Sequence, residues 1–167
     1  MSKIVIIGAG AMGTAFALPC LDNNHDVNII GTHLENDFID SFKKNKNVHV
    51  GLKTKIPQEI KVFKFENFDE ILKTNVDLIV LGISSKGIQW AADQLSNIYT
   101  DKKIPDLLML TKGLSIHKNE YELLVDKLER LLAGKGIFKT NISAVGGPCL
   151  AEGLANRVHS SVVIANK

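Results

Sequence analysis

Short apolar runs rich in Val, Ile and Leu recur along the 167-residue chain, and each has the length of a strand. Most of them are continuous instead of alternating with polar residues, which is typical of strands covered by helices on both faces. The runs therefore predict a buried, mostly parallel sheet. They span residues 3–7, 27–30, 61–65, 77–83, 106–111, 142–145 and 161–165.

Segments with helical spacing of apolar residues lie between these runs, so strand and helix alternate along the chain. The alternation predicts an α/β fold, a doubly wound, mostly parallel sheet with helices on both faces. The helical segments are expected at residues 12–21, 34–42, 68–72, 88–98 and 120–132, and an irregular loop is expected at residues 45–57. No linker divides the chain, so we expect residues 1–167 to form one domain.

The strongest local signal is Gly-Ala-Gly-Ala-Met-Gly at residues 8–13, directly after the first predicted strand and at the start of the first predicted helix. Gly8 permits a tight turn, Gly10 lets the backbone approach a pyrophosphate, and Gly13 lets the helix pack close to the strand. The helix N-terminus offers free N–H groups to phosphates. The motif predicts a dinucleotide-binding turn in a Rossmann-like sheet; the alternative is a glycine-rich turn that happens to precede a helix.

In such domains an acidic residue about twenty positions after the glycines usually binds the adenosine ribose. Here the second predicted strand is followed by Thr32 and His33. Glu35 and Asp37 are expected to lie too far along the next helix to take this role. Because no carboxylate would then repel a 2′-phosphate, the expected cofactor is NAD or NADP.

Ligands of open parallel sheets bind at the carboxyl ends of the strands, and three further loops there carry polar or glycine residues. Ser84 and Ser85 follow the fourth run; they either donate to a ligand, or Ser85 caps the next helix. Lys112 follows the fifth run. It either supplies a point charge for a phosphate or a developing alkoxide, or it is simply a solvated lysine. The loop at residues 146–149 allows close backbone approach.

Charge, cysteine pattern and the N-terminus exclude several classes of protein. Twenty basic and eighteen acidic side chains are scattered along the chain and give a net charge of only +2, so neither a nucleic-acid partner nor a membrane is expected. Cys20 and Cys149 show no metal-ligand spacing, and we expect reduced thiols and no metal. All five histidines are expected at the surface or in turns. The N-terminal run lacks the pattern of a signal peptide, so a cytoplasmic location is expected.

Several motifs together resemble, in order and spacing, the NAD(P)-dependent glycerol-3-phosphate dehydrogenases. They are Gly-Ala-Gly-Ala-Met-Gly-Thr-Ala-Phe-Ala at 8–17, His-Asp-Val at 25–27, Gly-Leu at 51–52, Thr-Lys-Gly-Leu at 111–114 and Gly-Pro at 147–148. The similarity covers essentially all 167 residues. It implies that the chain is an N-terminal dinucleotide-binding domain, and that a helical substrate domain bearing the proton-accepting lysine is expected after residue 167.

The resemblance also implies contacts for individual residues. Dinucleotide contacts fall on Ala11, Met12, Thr32, Lys112 and Ala151, beside the three glycines of the turn. Contacts to glycerol phosphate fall on Lys112, Gly147 and Cys149, and Lys112 is implied to stabilise charge on the substrate. The chain departs from the family pattern at three of these positions: Ala11 replaces serine, Met12 an aromatic residue, and Cys149 a Ser, Thr or Asn.

The activity that the resemblance implies is reversible hydride transfer between a nicotinamide and glycerol 3-phosphate, giving dihydroxyacetone phosphate and feeding glycerophospholipid synthesis. The implied partners are a small-molecule phosphate substrate and, when the helical domain is present, a second copy in a homodimer. Two alternatives stay open. One is the dinucleotide-binding domain of a ketopantoate reductase-like or sugar-nucleotide dehydrogenase, and the other is a non-catalytic dinucleotide-binding module.

Overall fold

A computed structural model describes residues 1–100 and 103–166 of the chain. The strands are β1 (Lys3–Ile7), β2 (Asp26–Ile30), β3 (Val48–His49), β4 (Thr54–Lys55), β5 (Lys61–Phe63), β6 (Leu78–Leu81), β7 (Asp106–Met109), β8 (Leu114–His117), β9 (Glu120–Leu123), β10 (Ile142–Gly146) and β11 (Val163–Asn166). The helices are α1 (Ala11–Asp22), α2 (Asn36–Lys44), α3 (Phe68–Leu72), α4 (Ile88–Tyr99), α5 (Leu124–Ala133) and α6 (Ala151–Ala155), with 3₁₀ turns at Phe65–Asn67 and Ser85–Gly87.

Seven strands form the main sheet, in the order β11-β10-β7-β6-β1-β2-β5. The neighbouring strands are parallel, apart from the antiparallel pair β10 and β11. Two small hairpins, β3–β4 and β8–β9, stand outside this sheet. The predicted fold class, a mostly parallel α/β sheet, is confirmed.

Two apolar cores lie on opposite faces of the sheet, because successive side chains of a strand point to opposite sides. Ile4 and Ile6 of β1 pack with α1, α2 and α6, whereas Val5 and Ile7 pack with α3, α4 and α5. All four side chains are at most 4% exposed. Burial on both faces explains why the run is continuously apolar, and each such side chain contributes about 1.5–3 kcal/mol to folding.

The order of the strands reverses beside β1. From β1 the chain passes to β2 on one side, and it later returns to β6 on the other side. Helices then leave the two neighbouring strands toward opposite faces, so a crevice opens at their carboxyl ends. This position is where the site described below lies.

The predicted helix at residues 120–132 is wrong over its first four residues, which form β9; α5 begins at Leu124. The turn between β8 and β9 consists of Lys118 and Asn119, whose φ angles are +50° and +66°. Two successive positive φ angles are what a tight hairpin turn with the native strand twist requires. Glu120–Leu123 therefore form a strand, because they pair with β8 across this turn.

The stretch 45–57 is less irregular than expected, because it contains the β3–β4 hairpin. Three of its side chains, His49, Leu52 and Ile56, are at most 4% exposed. The expectation that every histidine lies at the surface or in a turn is therefore wrong for His49. The loop folds back over α1 and α2, and Leu52 and Ile56 belong to the same apolar core as these helices.

Candidate functional site

The glycine turn joins β1 to α1 through close backbone contacts. Gly8 has a φ of +108°, and its N–H donates to the carbonyl of Ile30 at 2.8 Å. A Cβ placed on Gly13 would lie 2.4 Å from the carbonyl oxygen of Gly8, closer than any real contact. The turn thus connects the ends of β1 and β2 and sets the N-terminus of α1 at the crevice, as the motif predicts.

An open cleft of about 570 Å³ lies beside this turn, between the ends of β2 and β6. Gly10 and Gly82 form its floor, and the chain segments after β2 and β6 form its walls. Its lining residues are Gly10, Thr32, His33, Leu34, Glu35, Gly82, Ile83, Ser84, Lys86, Gly87 and Trp90. Of the predicted dinucleotide contacts, the structure brings Gly10 and Thr32 into the cleft, while Ala11 and Met12 open α1 next to it.

Glu35 lines the cleft, although it was expected to lie too far along the next helix to take part in the site. It precedes α2, which starts at Asn36, so its side chain turns back toward the glycines. Its Oε2 accepts the backbone N–H of Thr32 at 2.7 Å and that of Ala9, twenty-six positions earlier, at 3.2 Å. The expectation that Glu35 lies too far along the helix is wrong, because Glu35 precedes α2 and lines the cleft. Its position about twenty residues after the glycines is the sequence signal that could have found it.

The carbonyl group of Ala9 is also held, by hydrogen bonds from the protein interior. Its carbonyl oxygen accepts hydrogen bonds from Thr14 Oγ1 at 3.1 Å and from His49 Nε2 at 3.3 Å. Burial lowers the pKa of His49 below its ordinary value, and the hydrogen bond to Ala9 and the charge of Glu35 only partly oppose this effect. No sequence motif marks His49, since forty residues separate it from Ala9.

An aromatic cluster forms one wall of the cleft. The His33 ring lies 5.3 Å from the Trp90 ring, and Phe65 lies 5.8 Å from Trp90, measured between ring centroids. Phe68 packs behind them. Trp90 is the single tryptophan of the chain, so its fluorescence reports on this cleft.

The loops after β6, β7 and β10 continue the same edge of the sheet. Thr111 Oγ1 donates to the carbonyl of Ile83 at 2.5 Å, and Lys112 Nζ donates to the carbonyl of Gly147. The structure therefore brings together Lys112 and Gly147, two of the three residues implied to bind glycerol phosphate. The third, Cys149, follows in the same loop and is half-buried, and Ala151 packs against the core beside α1.

The serines after β6 do not cap a helix through their side chains. Ser84 precedes the 3₁₀ turn and Gly87 precedes α4, and neither start has a side-chain capping bond. The alternative in which Ser85 caps the next helix is therefore wrong. Ser84 instead lines the cleft.

Within residues 1–100 and 103–166, no cluster of three or more His, Cys, Asp or Glu side chains has the arrangement of a metal site. The same residues contain no helix with the length and apolarity needed to cross a membrane.

Comparisons with known proteins agree with this geometry. The family model described as the N-terminus of NAD-dependent glycerol-3-phosphate dehydrogenase matches residues 3–167. The chain is 28% identical over 163 residues to an NADP(+)-dependent glycerol-3-phosphate dehydrogenase of Archaeoglobus fulgidus, covering 98% of this chain and 46% of the relative. It is 29% identical over 180 residues to a glycerol-3-phosphate dehydrogenase [NAD(P)+] of Mesoplasma florum, covering 100% of this chain and 48% of the relative.

The fold is shared with a solved structure of glycerol-3-phosphate dehydrogenase from Coxiella burnetii, with a TM-score of 0.76 at 21% identity, covering 99% of this chain and 46% of the other. The chain thus spans about half the length of the relatives that it matches. These matches do not favour the ketopantoate reductase-like or sugar-nucleotide dehydrogenase alternatives. The chain belongs to the family of NAD-dependent glycerol-3-phosphate dehydrogenases, and it corresponds to their N-terminal domain.

Proposed function

We propose that the chain is the dinucleotide-binding domain of an oxidoreductase that interconverts sn-glycerol 3-phosphate and dihydroxyacetone phosphate, with NAD or NADP as the hydride carrier. The observation that carries the proposal is that Gly10, Glu35 and Gly82 meet in one cleft beside the switch point of the sheet. The two relatives that match 98% and 100% of the chain are both named as glycerol-3-phosphate dehydrogenases.

The cleft fits a dinucleotide by its own geometry. Among the residues described, a Cβ placed on Gly10 would meet only the Oε1 atom of Glu35, at 3.8 Å, so the Gly10 backbone is open on this side. The volume of about 570 Å³ lies in the usual range for small-molecule and cofactor sites. The N-terminal N–H groups of α1, at Ala11 and Met12, would bind the pyrophosphate.

Glu35 is proposed to select the cofactor. Its Oε2 atom is held by the N–H groups of Ala9 and Thr32, and its Oε1 atom lies on the side of Gly10. In this position Oε1 would accept a hydroxyl of the adenosine ribose, while the carboxylate would repel the 2′-phosphate of NADP. We therefore propose that the chain prefers NAD, although the relative from Archaeoglobus fulgidus is named for NADP.

Lys112, Gly147 and Cys149 are proposed to hold the phosphate substrate. The exposed Lys112 ammonium meets the carbonyl of Gly147, and it would exchange this oxygen for that of a phosphate or a developing alkoxide. Gly147 has a φ of +102°, and a Cβ on it would lie 3.1 Å from the carbonyl of Ser161. A glycine therefore gives the substrate loop its backbone conformation.

The nicotinamide, when bound, supplies the hydride chemistry, and the residues of this chain bind and orient it. In this proposal the helical domain expected after residue 167 supplies the proton-accepting lysine and the second wall of the substrate site. Proton transfer by a positioned group contributes about 100- to 10,000-fold to the rate of such reactions. We therefore expect the chain by itself to bind dinucleotide and to turn over poorly or not at all.

The biological setting is also part of the proposal, and the family resemblance is what supports it. The enzyme would act in the cytoplasm, as a homodimer when the helical domain is present, with neither nucleic acid nor a membrane as partner. Its product glycerol 3-phosphate would feed glycerophospholipid synthesis.

The test is a titration of the chain with NADH and with NADPH, alone and with glycerol 3-phosphate, followed by calorimetry and by Trp90 fluorescence. NADH should bind more tightly than NADPH. In Glu35→Gln the affinity for NADH divided by the affinity for NADPH should decrease by about tenfold or more, since a hydrogen bond to a charged group contributes about 1.5–3 kcal/mol.

Asp37→Asn is the matched control, because Asp37 is an exposed carboxylate two positions further that does not line the cleft. It should leave both affinities unchanged. Failure of the chain to bind either dinucleotide would overturn the proposed function, whereas a preference for NADPH that Glu35→Gln does not alter would overturn only the role of Glu35.

A further inference from the structure

The peptide that links Ala9 to Gly10 is fixed by residues outside the glycine motif. Its carbonyl oxygen, on Ala9, points into the protein, where Thr14 and His49 both donate to it. Ala9 is 1% exposed and His49 is 4% exposed, so water does not compete for these bonds. A buried carbonyl with two donors is strongly oriented, since losing either donor leaves part of its hydrogen-bonding capacity unmet.

The surroundings of His49 determine which of its nitrogens carries the proton. The backbone N–H of Leu52 is shared between the carbonyl of His49, at 3.1 Å, and Nδ1 of the ring, at 3.2 Å. A nitrogen that accepts an N–H cannot carry a proton itself, and the carbonyl of Ala9 beside Nε2 can only accept a hydrogen bond. The neutral ring is therefore protonated at Nε2, which faces the carbonyl of Ala9 at 3.3 Å. The Phe38 ring, 5.0 Å away between centroids, fills the space beside the imidazole.

The orientation of this peptide affects the cleft on its other side. In a trans peptide the carbonyl and the following N–H point in opposite directions. Holding the Ala9 carbonyl inward therefore turns the Gly10 N–H away from the core, and Gly10 lines the cleft. The preceding N–H, that of Ala9, is held by Glu35. Both peptides that flank Ala9 are thus set by side chains from distant parts of the chain.

We propose that His49 is a positioning residue for the dinucleotide-binding turn, which acts through the carbonyl of Ala9 and does not touch the cofactor. The loop of residues 45–57 brings the imidazole beneath the turn, and the bond from Nε2 keeps the turn in the conformation that accepts the pyrophosphate. This inference rests on the proposed binding of a dinucleotide. It attributes part of the affinity for the dinucleotide to the hydrogen bond that Nε2 of His49 donates.

Substitution of His49 by glutamine or by asparagine tests the two hydrogen bonds of the ring one at a time. The amide nitrogen of glutamine stands about as far from Cβ as Nε2 of histidine, so His49→Gln keeps a donor for Ala9. The amide of asparagine is shorter and reaches about as far as Nδ1, so His49→Asn keeps a partner for Leu52 and removes the donor to Ala9. His159→Gln, at an exposed position, is the control.

The experiment measures the affinity of the chain and its three variants for NADH through energy transfer from Trp90, with urea denaturation to record the stability of each. We expect His49→Gln and His159→Gln to bind NADH within about twofold of the original chain. We expect His49→Asn to bind roughly two- to tenfold more weakly, the effect of one net hydrogen bond. Nitrogen NMR of the imidazole should show the tautomer protonated at Nε2.

Three results would overturn the role of His49: equal affinities of folded His49→Asn and His49→Gln, a loss of affinity in folded His49→Gln, or a ring protonated at Nδ1. If His49→Asn does not fold, the tautomer and the His49→Gln affinity still decide the question. Absence of NADH binding to the original chain would instead contradict the proposed function, so the two failures can be distinguished.

Discussion

Gly82, directly after β6, and Gly13, in the first turn of α1, are in backbone contact: a Cβ placed on Gly82 would lie 2.8 Å from the Cα of Gly13. The same Cβ would lie 3.5 Å from the carbonyl oxygen of Ile7. Neither neighbour is the flexible end of a side chain, so a larger residue forces the helix and the two strands apart. The floor of the cleft depends on this contact.

Gly82→Ala is therefore expected to reduce the free energy of unfolding by about 1–3 kcal/mol, the usual cost of overpacking. Urea denaturation of the chain measures this change. Gly10→Ala is the matched control, because a Cβ there would meet only ordinary contacts and the φ of −68° suits any residue. It should change stability by less than about 0.5 kcal/mol but weaken dinucleotide binding. Equal stabilities of the two variants would contradict the close packing of α1 against β6.

Tyr99 is expected to stabilise the fold through its hydroxyl. Its ring is 5% exposed, and its hydroxyl donates to the carbonyl of Leu72 at 2.7 Å, which joins α4 to the end of α3. Burial raises the pKa of this hydroxyl to about 12. Tyr99→Phe should lower the free energy of unfolding by about 1 kcal/mol. Tyr121→Phe, at a side chain that is 80% exposed, should leave it unchanged in the same denaturation experiment.

His49 is expected to make the stability of the chain depend on pH near neutrality. Because burial lowers its pKa in the folded protein below the ordinary value of 6.5, the unfolded chain binds a proton first as the pH falls. The contribution of His49 to the free energy of unfolding should therefore be constant above about pH 7.5, and it should decrease as the pH falls through about 6.5 toward the lower pKa of the folded state.

Denaturation at a series of pH values measures this dependence, and His49→Gln should flatten it. Ion pairs lower the pKa of Asp22, Asp93 and Glu122, so those carboxylates lose their stabilising contribution only at more acidic pH. The interval between about pH 5 and pH 7 thus isolates the histidine contribution. An unchanged profile in His49→Gln would rule out its assignment to this residue.

The two cysteines are expected to differ in reactivity toward thiol reagents. Burial raises the pKa of the Cys20 thiol to about 11 from an ordinary value of 9.0, so its thiolate fraction is about a hundredfold lower. Cys149 lies in the loop that carries Gly147. A disulfide reagent at mildly alkaline pH should label Cys149 rapidly and Cys20 slowly. Cys149→Ser should remove the rapid phase, and retention of that phase would show that Cys20 is the reactive thiol.

Local patterns in the sequence are enough to predict the main sheet and the glycine turn. The run at residues 3–7 coincides with β1, because a strand that is buried on both faces has apolar residues at successive positions. The glycines at 8 and 13 are required by local geometry, a positive φ and a close approach, that no other residue satisfies. Lys112 and Gly147 are predicted to share an edge because parallel strands end together.

The positions of Glu35 and His49 beside the glycine turn depend on contacts that form only in the folded chain. Glu35 reaches Ala9 because β1 and β2 are parallel neighbours that end side by side and because α2 starts after it, and neither fact is encoded in the residues next to it. His49 lies beneath the same turn because a loop without periodic pattern folds over α1 and α2. Local sequence patterns indicate which face of a helix or strand is buried. Contacts between residues that are distant in sequence depend instead on how the helices and strands pack, and this packing forms only when the whole chain folds.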